Sequence, residues 1–76
     1  MKKRDKRDAL ILKQLGKRIA IIRKEKKITQ LELAFRCDIE GPNITRIESG
    51  GTNPTFLTLK KIAEGLEISI DELLKF

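Results

Sequence analysis

Leu12, Leu15, Ile19 and Ile22 recur at three- and four-residue steps between Ala9 and Lys26. That spacing lines one side of a 3.6-residue helix, so the segment predicts an amphipathic helix. Lys13, Lys17, Lys24 and Lys27 fall on other faces, and the lysines at the far end suit the negative pole of a helix. Thr29-Gln30-Leu31-Glu32 places a hydroxyl at an N-cap and a carboxylate three residues on. It opens a second helix of about eight or nine residues with Leu33, Ala34 and Cys37 inward. Cys37-Asp38-Ile39-Glu40 reads as a turn, because aspartate tolerates left-handed backbone geometry better than most residues. A third helix is expected near Gly41-Pro42, since proline is accepted in a first helical turn. Ile44 and Ile47 are its core positions, and Ser49-Gly50-Gly51 ends it. After the loop Thr52-Asn53-Pro54, Thr55 is the expected N-cap of a fourth helix running to about Leu66. Phe56, Leu59, Ile62, Ala63 and Leu66 are its expected core. Ser69-Ile70-Asp71-Glu72 is a second capping box and opens a last short helix, with Ile70, Leu73 and Leu74 apolar. No segment alternates with period two. The expectation is an all-α chain of five helices without a sheet.

The chain has 76 residues, enough for one small domain and too few for a deep catalytic cleft. Residues 1–8 are almost all charged and read as a mobile basic arm; residues 9–76 read as the folded domain. The net charge is +6 and its distribution is lopsided. Residues 1–27 hold twelve Lys/Arg against three Asp/Glu, and residues 28–76 hold five against eight. A basic end of this kind suits a polyanionic partner, or is simply a solvated tail. No stretch approaches the roughly 18 apolar residues of a membrane span. The start is basic but lacks an apolar run with a cleavage site, so no signal peptide is expected. One cysteine and no histidine leave no internal disulfide, almost no zinc ligands and no Cys-His or Ser-His pair. The single Cys37 reads as a small core residue and fits a reducing cytoplasm. The carboxylates read as surface and capping groups. Neither an enzyme nor a cofactor or metal site is expected.

Two short helices joined by a tight turn over about residues 30–49 make a helix-turn-helix. Ala34, the fifth residue from Gln30, is small where the two helices approach. Asp38, the ninth, lies in the turn, and Ile44 and Ile47 pin the second helix to the first. The motifs Thr29-Gln30-x-x-Leu33-Ala34, Ile44-Thr45-Arg46-Ile47-Glu48-x-Gly50, Asn53-Pro54-Thr55 and Leu59-x-x-Ile62-Ala63-x-x-Leu66 occur in order. Together they resemble the Cro/repressor-type, or Xre, helix-turn-helix family over about residues 15–74. The resemblance implies a compact five-helix domain like that of lambda repressor. It departs from the family at Asp38, where glycine is usual, and at Glu40, where serine or threonine is common. Gly41-Pro42 replaces the usual polar residues at the tip of the reading helix, and Glu67 stands where a helix-ending glycine is common.

The resemblance makes the helix of about residues 41–49 the reading helix in the major groove, where each base pair has its own donor and acceptor pattern. Arg46 is then the first candidate for base contact, as a bidentate donor to guanine, or else it meets phosphate or pairs on the surface. Asn43 can pair with adenine or hold a phosphate. Gly41 and Pro42 can touch a thymine methyl or allow close backbone approach, or merely start the helix. Thr45 can reach a phosphate or a base, or remain a surface residue. Glu40 can accept from a cytosine amino group or turn away. Gln30 is expected at a backbone phosphate, at the positive end of its helix, and Thr52 and Asn53 in a loop near the DNA backbone. Arg23 and Glu48 match a structural salt bridge of the family. Lys2, Lys3, Arg4, Lys6 and Arg7 can add phosphate contacts from the arm or remain free.

The expected function is sequence-specific binding of double-stranded DNA by a homodimeric transcriptional regulator of the cytoplasm and nucleoid. Bound near a promoter, it would block or recruit RNA polymerase. Phe35, Leu57, Ile70, Leu74 and Phe76 are candidates for a dimer patch, and two-fold pairing would set two reading helices about 34 Å apart. An antitoxin that also binds a toxin protein, a restriction-modification controller, and a protein-interaction module without specific DNA binding are the alternatives.

Overall fold

The structure is a computed structural model that describes residues 5–76. Five helices, and no strand, are present among the described residues: α1 (Lys6–Glu25), α2 (Gln30–Cys37), α3 (Gly41–Ser49), α4 (Phe56–Gly65) and α5 (Ile70–Leu73). α1 starts three residues before Ala9. The Asp5 carboxylate accepts from the backbone N–H of Arg7 at 2.6 Å and of Asp8 at 3.4 Å, which caps the helix. Those bonds, that from Arg7 first, hold the Asp5 carboxyl below its ordinary value. The charged run therefore hid a helix start. Lys6, Arg7 and Asp8 belong to the first turn of α1, while Lys2, Lys3 and Arg4 of the expected arm lie outside the described residues.

Thr29, Thr55 and Ser69 cap α2, α4 and α5 through their hydroxyls, which accept from Glu32, Thr58 and Glu72 N–H. The first four helices all end the same way. The chain turns left-handed at Lys27, Asp38, Gly50 and Glu67. The next N–H then reaches back five residues: Ile28 to the carbonyl of Arg23, Ile39 to Ala34, Gly51 to Arg46 and Ile68 to Ala63, each at 2.9–3.0 Å. This is the Schellman end, which satisfies carbonyls the helix leaves open. Three of the four turns carry isoleucine immediately after the left-handed residue. Ile28 is buried, and Ile39 and Ile68 pack against the core.

A non-glycine residue in the left-handed region costs about 1 kcal/mol or more, partly offset by the greater freedom glycine has when unfolded. Glu67 is exposed, and its pair with Arg36, at 3.5 Å, adds little. Glu67→Gly should therefore raise stability by about 0.5–1 kcal/mol in a urea melt. A lower midpoint would contradict this account of the α4 end.

The core is Leu15, Ile19 and Ile22 of α1, Leu33, Ala34 and Cys37 of α2, Ile44 and Ile47 of α3, Ile62, Ala63 and Leu66 at α4, and Ile28 and Leu73. α3 packs on α1 and α2, α2 on α4, and α5 on α4. Phe56 departs from expectation: it is 63% exposed. It shares the helical spacing of Leu59 and Ile62 but sits in the first turn of α4, before the helix meets its neighbours. Cys37 is buried where α2 nears α4, and a Cβ on Gly65 would lie 2.5 Å from its sulfur. Burial pushes the Cys37 thiol above its ordinary 9.0. The fold therefore favours the protonated thiol. That contribution is full below pH 9.0 and is lost as pH rises through the folded value. Alkylation of Cys37 at pH 8 should track unfolding; labelling at the rate of a free thiol would place it at the surface instead.

Candidate nucleic-acid interface

α2, the Asp38 turn and α3 stand as a unit on α1. Asp38 takes φ 55°, ψ 46°, supplying the left-handed residue that lets α3 turn away from α2. Glu40 is the N-cap of α3 but makes no side-chain capping bond, so its carboxylate is exposed. Gly41 and Pro42 form the first turn. Gly41 has no packing reason to lack a side chain, because a Cβ there would meet nothing within 4 Å.

Ile44 and Ile47 are buried, which turns Pro42, Thr45 and Arg46 to solvent, with Asn43 half-buried. The Arg46 guanidinium donates to Oδ1 of Asn43, one turn earlier. The two side chains expected to read bases are thus brought together on one face. Thr52 and Asn53 lie across a cleft of about 400 Å³ from Asn43 and Glu40. Thr55 and Thr58 line the same cleft and bond each other through their hydroxyls at 3.0 Å. The sequence marked Thr55 only as a cap, and no spacing signal pointed Thr58 toward the loop.

Behind this face lies a buried ion pair. Arg23 donates from Nε to Glu48 at 2.7 Å and from a terminal nitrogen to the other carboxylate oxygen at 2.9 Å. Their side chains are 10% and 7% exposed. The remaining Arg23 nitrogen donates to the carbonyl of Ile28 at 2.8 Å. The Glu48 carboxylate raises the Arg23 pKa further above its already basic value. The pair therefore fastens the end of α3 to α1 and to the loop that follows α1. Gln30 joins it, donating from Nε2 to Glu48 at 2.9 Å, while the Thr45 hydroxyl donates to Gln30 Oε1 at 3.1 Å. The Gln30 amide is engaged inside the protein at both ends.

A polar helix face, held from behind by a buried ion pair and preceded by a shorter helix and tight turn, defines a helix-turn-helix protein. The model of the helix-turn-helix family HTH_3 matches residues 19–73. The chain belongs to this Xre-type family of DNA-binding transcriptional regulators, which is not a family of enzymes. It is 36% identical over 59 residues to the immunity repressor protein of Bacillus phage phi105, covering 78% of this chain and 41% of that one. It is 42% identical over 60 residues to the cryptic phage CTXphi transcriptional repressor RstR of Vibrio cholerae, covering 79% and 54%. The chain thus spans about half the length of these two relatives. Among solved structures, it resembles the restriction-modification controller protein C.AhdI from Aeromonas hydrophila at a TM-score of 0.80 and 29% identity, covering 82% of this chain and 94% of that one. The controller protein C.Esp1396I matches with a TM-score of 0.77 and 34% identity, covering 84% and 86%. No helix of the described residues is long and apolar enough to cross a membrane.

Proposed function

We propose that the protein is a homodimeric, sequence-specific regulator that lays α3 in the major groove of an operator. The observation that carries this reading is the outward face of Pro42, Asn43, Thr45 and Arg46 on a helix pinned by a buried ion pair. Arg46 reads guanine, oriented by Asn43. Gly41 lets the backbone come close to the duplex, since no neighbour within the fold requires a glycine there. Thr52, Asn53 and the first turn of α2 at Gln30 approach the DNA backbone, and the exposed carboxylate of Glu40 faces a cytosine amino group. The basic charge of residues 1–27 adds a sequence-independent, salt-sensitive attraction. Phe35, Leu57, Leu74 and Phe76 are exposed and available for pairing, whereas Ile70 packs against the core. A regulator of this kind acts on the nucleoid in the cytoplasm, where it blocks or recruits RNA polymerase.

Sedimentation of the protein with a two-fold operator duplex tests the assembly: two chains per duplex are expected, and a single chain per duplex would overturn the dimer. Gly41→Ala separates fold from recognition. The variant should melt at or slightly above the wild-type temperature, because alanine suits a helix better than glycine. It should bind operator about tenfold more weakly through a methyl pressed against the duplex, a loss of about 1.4 kcal/mol. Undiminished binding would remove the close-approach role.

A second reading is a restriction-modification controller. The likeness to C.Esp1396I, at 34% identity and a TM-score of 0.77, supports it. Mapping the bound sites beside restriction and modification genes would favour it.

A further inference from the structure

The hydrogen-bond polarity around Thr45 assigns a narrower role to this residue than the face alone suggests. Glu48 is a carboxylate whose two oxygens both accept from Arg23. One of them, Oε1, also lies 2.9 Å from the Gln30 side-chain nitrogen. A carboxylate only accepts, so the Gln30 amide has one permitted orientation: Nε2 toward Glu48 and Oε1 toward Thr45. Turning it over would set two oxygens against each other. The Thr45 hydroxyl carries one proton. Its two internal neighbours, Gln30 Oε1 at 3.1 Å and the Gly41 carbonyl at 3.3 Å, are both acceptors. The proton is committed inward whichever of them it chooses. What Thr45 shows to solvent is therefore its lone pairs and its methyl group.

We infer that Thr45 is a specificity-determining residue that accepts a hydrogen bond from the amino group of adenine or cytosine, with Gln30 as the positioning residue that fixes its polarity. This rests on the reading of α3 as the helix in the major groove. In that groove adenine N6 and cytosine N4 are donors, whereas guanine O6 and N7 and thymine O4 only accept. A phosphate oxygen only accepts as well. Thr45 so arranged meets neither phosphate nor a keto base, and favours amino bases on the strand it faces. The ion pair, expected to be purely architectural, then reaches the reading surface through two hydrogen bonds.

The test is site selection from a random duplex library with wild type, Arg46→Ala, Thr45→Val and Gln30→Lys, followed by affinities on single-base variants of the selected site. Thr45→Val keeps the shape of the side chain and removes the hydroxyl. In Gln30→Lys the ammonium group would donate both to Glu48 and to Thr45, which takes up one of the Thr45 lone pairs and leaves its proton to the Gly41 carbonyl. Wild type should show adenine or cytosine over guanine or thymine at one position per half-site, by roughly fivefold, the scale of one net hydrogen bond. Thr45→Val should equalise that position and leave the Arg46-dependent one intact. Gln30→Lys should weaken it, because the lone pair offered to the base is taken by the ammonium group. A merely structural role for Gln30 would lower affinity without moving the preference. If the position lost in Thr45→Val carries guanine or thymine, the inferred polarity is wrong. If Arg46→Ala changes the selected site and Thr45→Val changes nothing, this inference falls and the α3 reading stands. If wild type selects no sequence, both fall together.

Discussion

Gly16→Ala is expected to remove about 3 kcal/mol or more of stability, the upper range for forcing atoms into a packed interior. Gly16 lies mid-way along α1, where a glycine would ordinarily weaken the helix. Here the neighbour is backbone. A Cβ on Gly16 would stand 2.3 Å from the carbonyl oxygen of Glu48 and 2.4 Å from that of Ile47. No side-chain rotamer relieves that clash, so α1 and α3 must move apart. A domain of this size holds about 4–11 kcal/mol in all. The variant should therefore melt far below wild type in a thermal scan followed by circular dichroism. A midpoint within about 3 °C of wild type would mean that α1 and α3 do not approach as described.

The second large effect concerns the pair that clasps the same two helices. Glu48→Leu leaves the Arg23 guanidinium buried without its carboxylate and should cost about 3–5 kcal/mol. Gln30 Nε2 loses its acceptor in the same step. The double variant Arg23→Met/Glu48→Leu removes both charges. It should recover much of the loss, because two apolar side chains fill the site without desolvating an ion. Recovery is incomplete, since the Ile28 carbonyl loses the Arg23 donor at 2.8 Å. Urea denaturation of the two singles and the double gives the coupling directly. Additive losses, with no recovery, would show that the pair is not a closed unit.

Both predictions rest on contacts across α1 and α3: the resemblance supplied the Arg23–Glu48 pair, whereas nothing in the sequence pointed to Gly16. Elements with local signals read well. Thr29, Thr55 and Ser69 marked helix starts because an N-cap hydroxyl acts within its own turn. Asp38 marked the turn for the same local reason. The inward faces of α2 and α3 followed from three- and four-residue spacing. Gly16 gave no such signal, because the close approach that needs it is made by residues more than thirty positions away. Phe56 fits the α4 stripe yet lies beyond the packed part of that helix, a distinction only the tertiary arrangement makes. Asp5 was lost in a run of charges, although a carboxylate is as good a cap as a hydroxyl.

The face itself was legible in outline. Resemblance and spacing put Asn43, Thr45 and Arg46 on the outer side of α3, where the structure has them exposed or half-buried. The wiring behind them was not. That Gln30 spends both ends of its amide on Glu48 and Thr45 depends on rotamers chosen by packing among three helices. The same holds for the bond between Arg46 and Asn43. Charge asymmetry left a polyanionic partner and a solvated tail equally open, and it could not separate a basic arm from the basic first turn of α1.

The most direct test of the account is selection of binding sites from a random duplex library at about 0.15 M salt, with wild type and Arg46→Ala side by side. The account predicts a two-fold site whose half-sites lie one helical turn, about 34 Å, apart. In Arg46→Ala that site should become degenerate at one guanine-bearing base pair in each half, with the rest retained. Weak binding that enriches no sequence and is unchanged by the substitution would contradict the account and favour a protein-interaction module.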